Sequence, residues 1–177
     1  MKAIAVFCGS GIGTRPEYAA SAIRLGDLMG QAGLDLVYGG ASIGLMGAVA
    51  DAVLNNGGKV YGVIPEFLSK KEIAHPGLTE LFIVDDMHVR KYKMAEMADA
   101  FVALPGGFGT LEELFEVLTW SQLSLHAKPI AILNLNGFYD GVITQCKLMV
   151  KEGFLKQANL DLIRVASTAD ELLEILK

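Results

Sequence analysis

Residues 105–113 read Pro105-Gly106-Gly107-Phe108-Gly109-Thr110-Leu111-Glu112-Glu113. The apolar run Ala100–Leu104 precedes them, and the spacing Leu111, Leu114, Phe115, Leu118 follows. A buried strand that ends in glycines and then opens a helix gathers several free backbone N–H groups around one small volume. Such a helix start carries unpaired donors and partial positive charge, which suits a phosphate. Two carboxylates follow within the next turn. An anion cradle beside acids points to chemistry on a phosphorylated substrate rather than to its storage.

Glu113 admits two readings. Thr110-x-x-Glu113 has the form of a capping box, in which the carboxylate reaches back to the cap residue's N–H. Alternatively, Glu113 is a free carboxylate that positions water or stabilises a sugar cation. Glu112 lies about 100° further around the helix, so one of the two acids serves chemistry. Arg90, Lys91 and Lys93 form the densest positive cluster of the chain. Such runs usually form a solvated face, but this one leads into the strand that delivers the glycine loop. Arg90 offers a planar fork to a phosphate and Lys91 a point charge. Glu72, after Lys70-Lys71, reads in isolation as an ordinary surface acid. His75, His88 and His126 lack metal-ligand spacing, and no metal is expected. Met46, Met87, Met94 and Met97 read as core or interface filling. Trp120 and Leu123 are best explained by packing, including against a second subunit.

The elements that must hold these residues alternate along the chain. Strands are expected near 3–8, 34–38, 59–64, 81–84, 100–104, 129–133 and 162–166. Helices are expected near 16–32, 45–56, 88–98, 110–124, 138–152 and 169–176. Gln31-Ala32-Gly33 and Asn56-Gly57-Gly58 read as helix ends. Alternation of this kind implies right-handed crossovers and a doubly wound, mostly parallel sheet with helices on both faces, a Rossmann-like α/β fold in one domain over residues 1–177. Ligands of such sheets bind beyond the carboxyl ends of the strands, at the switch point. Three glycine clusters fall there: Gly9-Ser10-Gly11-Ile12-Gly13, Gly39-Gly40 with Gly44 and Gly47, and Gly106-Gly107-Phe108-Gly109. Their convergence adds Gly9, Ser10, Gly39, Gly40 and Met46 to the expected substrate-binding set. The first loop is not a dinucleotide fingerprint, because Thr14 stands where the last glycine belongs. The second strand ends in Tyr38-Gly39-Gly40 and not in a ribose-binding acid, which argues against NAD.

Composition narrows the partners. The 177 residues carry a net charge of −5 and are 52% hydrophobic, with a mean hydropathy of +0.40 and a pI near 5.2. An acidic chain is a poor non-specific binder of nucleic acid or anionic membrane. Cys8 and Cys146 are the only cysteines, which fits a reducing cytoplasm. Gly9–Gly13 interrupt the apolar start before a signal-peptide core could form, and no apolar run reaches spanning length.

The loop Pro105–Glu113, with Met87-His88-Val89-Arg90-Lys91 upstream, resembles the signature of the LONELY GUY (LOG) family of cytokinin riboside 5′-monophosphate phosphoribohydrolases. The resemblance extends through Phe7-Cys8-Gly9-Ser10, Tyr38-Gly39-Gly40, Gly44-Leu45-Met46-Gly47, Leu118-Thr119-Trp120, Gly137-Phe138-Tyr139 and Glu152-Gly153-Phe154. It implies a homodimer without a cofactor that hydrolyses the N-glycosidic bond of a nucleoside monophosphate such as AMP. Arg90 and Glu113 match the catalytic pair. Glu72, Lys91, Gly107, Phe108, Gly109, Thr110, Glu112 and Thr119 match substrate-contact positions. Phe108 departs from the tyrosine of many members, which removes a hydroxyl but leaves the backbone cradle intact. Proteins of this kind have also been labelled lysine decarboxylases, yet no segment here argues for a pyridoxal phosphate site. Molybdenum-cofactor carrier proteins share the fold and the loop and supply the alternative, a carrier without catalysis. Arg90 and the Glu112-Glu113 pair favour the hydrolase.

Overall fold

A computed structural model describes residues 1–69 and 74–176. Seven parallel strands form one sheet: β1 (Ala3–Phe7), β2 (Asp35–Tyr38), β3 (Val60–Pro65), β4 (Glu80–Val84), β5 (Ala100–Ala103), β6 (Ile130–Leu133) and β7 (Ile163–Ala166), in the order β4-β3-β2-β1-β5-β6-β7. The helices are α1 (Pro16–Gln31), α2 (Gly44–Asn55), α3 (Glu66–Ser69), α4 (Met87–Met97), α5 (Phe108–Gln122), α6 (Asp140–Lys151), α7 (Gln157–Leu160) and α8 (Ala169–Ile175). Each strand and long helix begins and ends within two residues of its expected bounds. Two short helices, α3 and α7, and a 3₁₀ turn at Leu135–Gly137 carry no readable periodicity and emerge only in the structure.

The pleat explains why β1 is apolar throughout. Ile4 and Val6 face a core shared with α1, α2 and α8, while Ala5 and Phe7 face a second core shared with α4, α5 and α6. All five residues of β1 are buried, as a strand sandwiched between helix layers must be. α1 ends as its sequence forecast: Gly33 takes a positive φ of 66°, and Leu34 N–H returns to the Met29 carbonyl at 2.9 Å. That bond closes a Schellman-type turn.

The strand order places the switch point between β1 and β5. The chain leaves β1 toward the face of α1 and leaves β5 toward the face of α5, so their loops diverge and open a crevice. One bond still ties them, from the Gly9 N–H to the Pro105 carbonyl at 3.1 Å. Among the described residues, no helix is long and apolar enough to cross a membrane.

Candidate active site

α5 starts earlier than the sequence suggests. Gly107 is its N-cap, in an extended conformation and without a side-chain cap. Thr110 therefore sits inside the first turn, and Glu113 is not the far end of a capping box. The first intrahelical bond runs from Leu111 N–H to the Gly107 carbonyl at 3.2 Å. The amides of residues 107–110 precede it, so helix geometry leaves them without intrahelical acceptors. Gly106 makes this tight start feasible: a Cβ there would lie 2.1 Å from the Thr110 hydroxyl oxygen. Gly107 and Gly109 face the opposite situation, with nothing within 4 Å of where a Cβ would stand.

α4 brings the basic partner. Asp86 caps it, its carboxylate accepting from Val89 N–H at 2.9 Å and His88 N–H at 2.7 Å. The Val89 and His88 amides hold the Asp86 carboxyl below its ordinary range. Arg90 follows in the first turn and stands opposite Glu113, with Nη2 to Oε1 at 3.9 Å and 11% exposure for each side chain. At that separation the pair attracts but does not close a hydrogen bond. Arg90 Nη1 leans on the Met87 sulfur at 3.6 Å, and its buried Nε has no hydrogen-bond partner among the described residues. The guanidinium lies over Gly39 at the end of β2, where a Cβ would come within 2.2 Å of Nη2.

Burial pushes the Glu113 carboxyl up to about 7, against the pull of Arg90 and Lys91 and with the help of Glu112 and Glu116. A carboxyl poised there can hold or release a proton near neutral pH. Cys8 lies nearby at the end of β1, where burial and the Glu113 charge push its thiol up. It stays a neutral wall rather than a nucleophile.

These groups line a cavity of about 280 Å³, close to the lower end of ligand pockets at roughly 300 Å³. Gly9, Ser10, Gly39, Met46, Arg90, Gly107, Phe108, Gly109, Thr110, Glu112 and Glu113 all border it, as expected from the sequence. Phe108 stands at the mouth, 93% exposed. Three expected residues do not border it. Gly40, at a positive φ of 84°, turns the chain and accepts His75 N–H at 3.0 Å on its carbonyl. Thr119 is exposed and donates its hydroxyl to the Phe115 carbonyl at 2.7 Å. Lys91 is buried and bound to Glu112 and Glu116 at 2.5 and 3.0 Å. Glu72 lies outside the described residues.

Sequence reasoning took Met87 and Met94 as core or interface filling; Met94 is indeed buried in the core beneath the sheet, and both also border the cavity. Their positions three before and four after Arg90 share its helix face, and that spacing was the available signal. Among the described residues, no group of three potential ligands could hold a metal ion, and no lysine borders the cavity.

A doubly wound parallel sheet with an acid buried against an arginine at its switch point defines a Rossmann-like α/β protein with a candidate site at its carboxyl edge. Solved structures share that fold at low identity. The molybdenum cofactor carrier protein of Chlamydomonas reinhardtii aligns with a TM-score of 0.75 at 20% identity over 98% of this chain and 94% of that one. The molybdenum cofactor binding protein of Rippkaea orientalis gives 0.73 at 21%, again over 98% and 94%. The family described as "Possible lysine decarboxylase" matches residues 46–176. Cytokinin riboside 5′-monophosphate phosphoribohydrolase LOG7 of Arabidopsis thaliana is 48% identical over 99% of this chain and 81% of its own length. The LOG enzyme of Oryza sativa subsp. japonica is 48% identical over 96% of this chain and 70% of its own. The chain belongs to the LOG family of phosphoribohydrolases.

Proposed function

We propose that this chain hydrolyses the N-glycosidic bond of a cytokinin riboside 5′-monophosphate or of AMP, releasing an adenine-type base and ribose 5-phosphate. The observation that carries this reading is Glu113: a buried carboxyl near pKa 7, 3.9 Å from Arg90, on the wall of the cavity into which α5 opens. The 5′-phosphate binds the amides of Gly107 to Thr110, with Arg90 as its cationic partner. That grip places the ribose beside Glu113. As the C1′–N bond lengthens, positive charge spreads over the ring, as in glycoside hydrolysis. Ionised Glu113 favours that charge and accepts a proton from the attacking water. The hydroxide joins C1′ and the proton ends on the departing base. Met46, Met87 and Met94 give the base a soft apolar wall. Binding energy from the phosphate, remote from the bond broken, orients the sugar for attack.

The reading extends to assembly and place. Tyr92, Leu123 and Leu125 are exposed, and Tyr92, Trp120 and Leu125 line an apolar hollow of about 570 Å³ against α4 and α5. A second copy covers this face in a homodimer, and the two unpaired thiols suit the cytoplasm.

The test is an incubation of purified protein with AMP and with an N6-prenylated AMP, following free base by chromatography. Release of base by the native protein and its loss in Glu113→Gln support hydrolysis. Stoichiometric binding of nucleotide with no base released would replace the enzyme with a carrier.

A further inference from the structure

Neighbouring residues of a helix point about 100° apart. Arg90 and Lys91 thus leave α4 in different directions, and Glu113 and Glu112 leave α5 in different directions. Two rungs result between the same pair of helices. The inner rung, Arg90 to Glu113, stays open at 3.9 Å. The outer rung is closed. Lys91 Nζ donates to Glu112 Oε1 at 2.5 Å and to Glu116 Oε1 at 3.0 Å. Its side chain retains 7% exposure, while those of Glu112 and Glu116 retain 54% and 21%.

A buried ammonium is stable only when paired and hydrogen-bonded, and here two carboxylates one helical turn apart provide that. Burial pulls the Lys91 pKa down, but the bonds from Glu112 and Glu116 outweigh it and hold the ammonium charged. Two of its three N–H donors are committed, and it does not border the cavity.

We infer that Lys91 is a positioning residue for Glu113 rather than a substrate ligand: by tying α4 to Glu112 and Glu116 it sets the distance and the field at which Glu113 faces Arg90. This rests on the reading of Glu113 as the working acid. The charged groups acting on Glu113 come from two helices, Arg90 and Lys91 of α4 and Glu112 and Glu116 of α5, while Cys8 beyond β1 faces it as a neutral thiol raised by burial and by the Glu113 charge. Loss of the ammonium leaves the Glu112 and Glu116 charges uncompensated beside a carboxyl that is already reluctant to ionise. Glu113 then needs a higher pH to lose its proton.

The experiment is a pH titration of the Glu113 carboxyl by ¹³C NMR in glutamate-labelled protein, its signal assigned with Glu113→Gln. It is run beside kcat and KM for AMP across the same pH range. Lys91→Met is expected to move the Glu113 midpoint and the acid limb of the rate profile up together, by about 0.5 unit or more, with kcat lowered more than KM is raised. Lys91→Arg, which keeps the charge, is expected to remain near the native midpoint. Adding Glu112→Gln and Glu116→Gln to Lys91→Met is expected to bring the midpoint back down. If Lys91→Met fails to fold, the Arg variant and the triple variant still make the comparison. A tenfold rise in KM for AMP with an unmoved Glu113 midpoint would overturn the inference and make Lys91 a ligand. A native protein that releases no base would sink the hydrolase reading alone, because the carboxyl titration reads the coupling without turnover.

Discussion

α2 and α5 begin alike and end up serving different purposes. Each starts from a glycine-containing loop at the carboxyl edge of the sheet, and each has an extended N-cap residue with no side-chain cap. The start of α2 is seated on the protein itself. A Cβ on Gly44 would lie 2.1 Å from the Ser10 carbonyl oxygen, and one on Gly47 would lie 2.2 Å from that of Ser42. Leu45 N–H donates to the Gly9 carbonyl at 3.1 Å. At α5 only Gly106 is packed in this way, while Gly107 and Gly109 look into open space. Equal local cues therefore yield one helix start packed against the fold and one left open. The acid follows the second: α5 carries Glu113 into the cavity wall, whereas the only acid of α2 is Asp51, well past its first turn.

Substitutions at the two helix starts can break or sharpen this contrast. The largest effect is expected for Glu113→Gln, with turnover of AMP reduced by about 10²–10⁴ in a folded protein. A near-normal rate would return α5 to the structural role of α2. Gly39→Ala comes next, since its methyl group collides with the Arg90 guanidinium. A displaced partner should lower kcat/KM by about 10–100-fold, with circular dichroism unchanged. Gly109→Ala places a methyl group where nothing now stands. It should raise KM by about tenfold at an unaltered melting temperature, a loss of some 1.4 kcal/mol of binding.

Gly44→Ala should do the reverse. At a φ of 63° and against the Ser10 carbonyl, a side chain is strained, and denaturant unfolding should show about 1–3 kcal/mol of lost stability, with KM unchanged in the folded fraction. A comparable effect on stability, confined to one pH range, is a pH dependence. Glu113 ionises at about 7 when folded against a reference value of 4.5, so the native state keeps a proton that the unfolded chain has released. Its contribution to stability is thus full below pH 4.5 and falls as the pH rises toward 7. Glu113→Gln should remove that slope and stabilise the protein by about 1–3 kcal/mol above pH 7, with no difference below pH 4.5.

Much of the molecule was legible in its residues, for a local reason. Apolar periodicity reports which face of a segment is buried, so the strands and long helices fall where their patterns place them. The glycines of 106–109 likewise mark a helix start with two acids in its next turn, whatever the rest of the chain does. Sequence could not show whether Glu113 closes a capping box, because that depends on a two-residue shift in where α5 begins. Nor could it separate Lys91 from Arg90, or tell that Gly44 is packed and Gly109 open. Those outcomes were decided by partners distant in the chain, Ser10 against Gly44, Gly39 beneath Arg90, and Glu112 and Glu116 around Lys91. Burial and charge pairing belong to the assembled sheet and its layers, so only the tertiary structure could settle them.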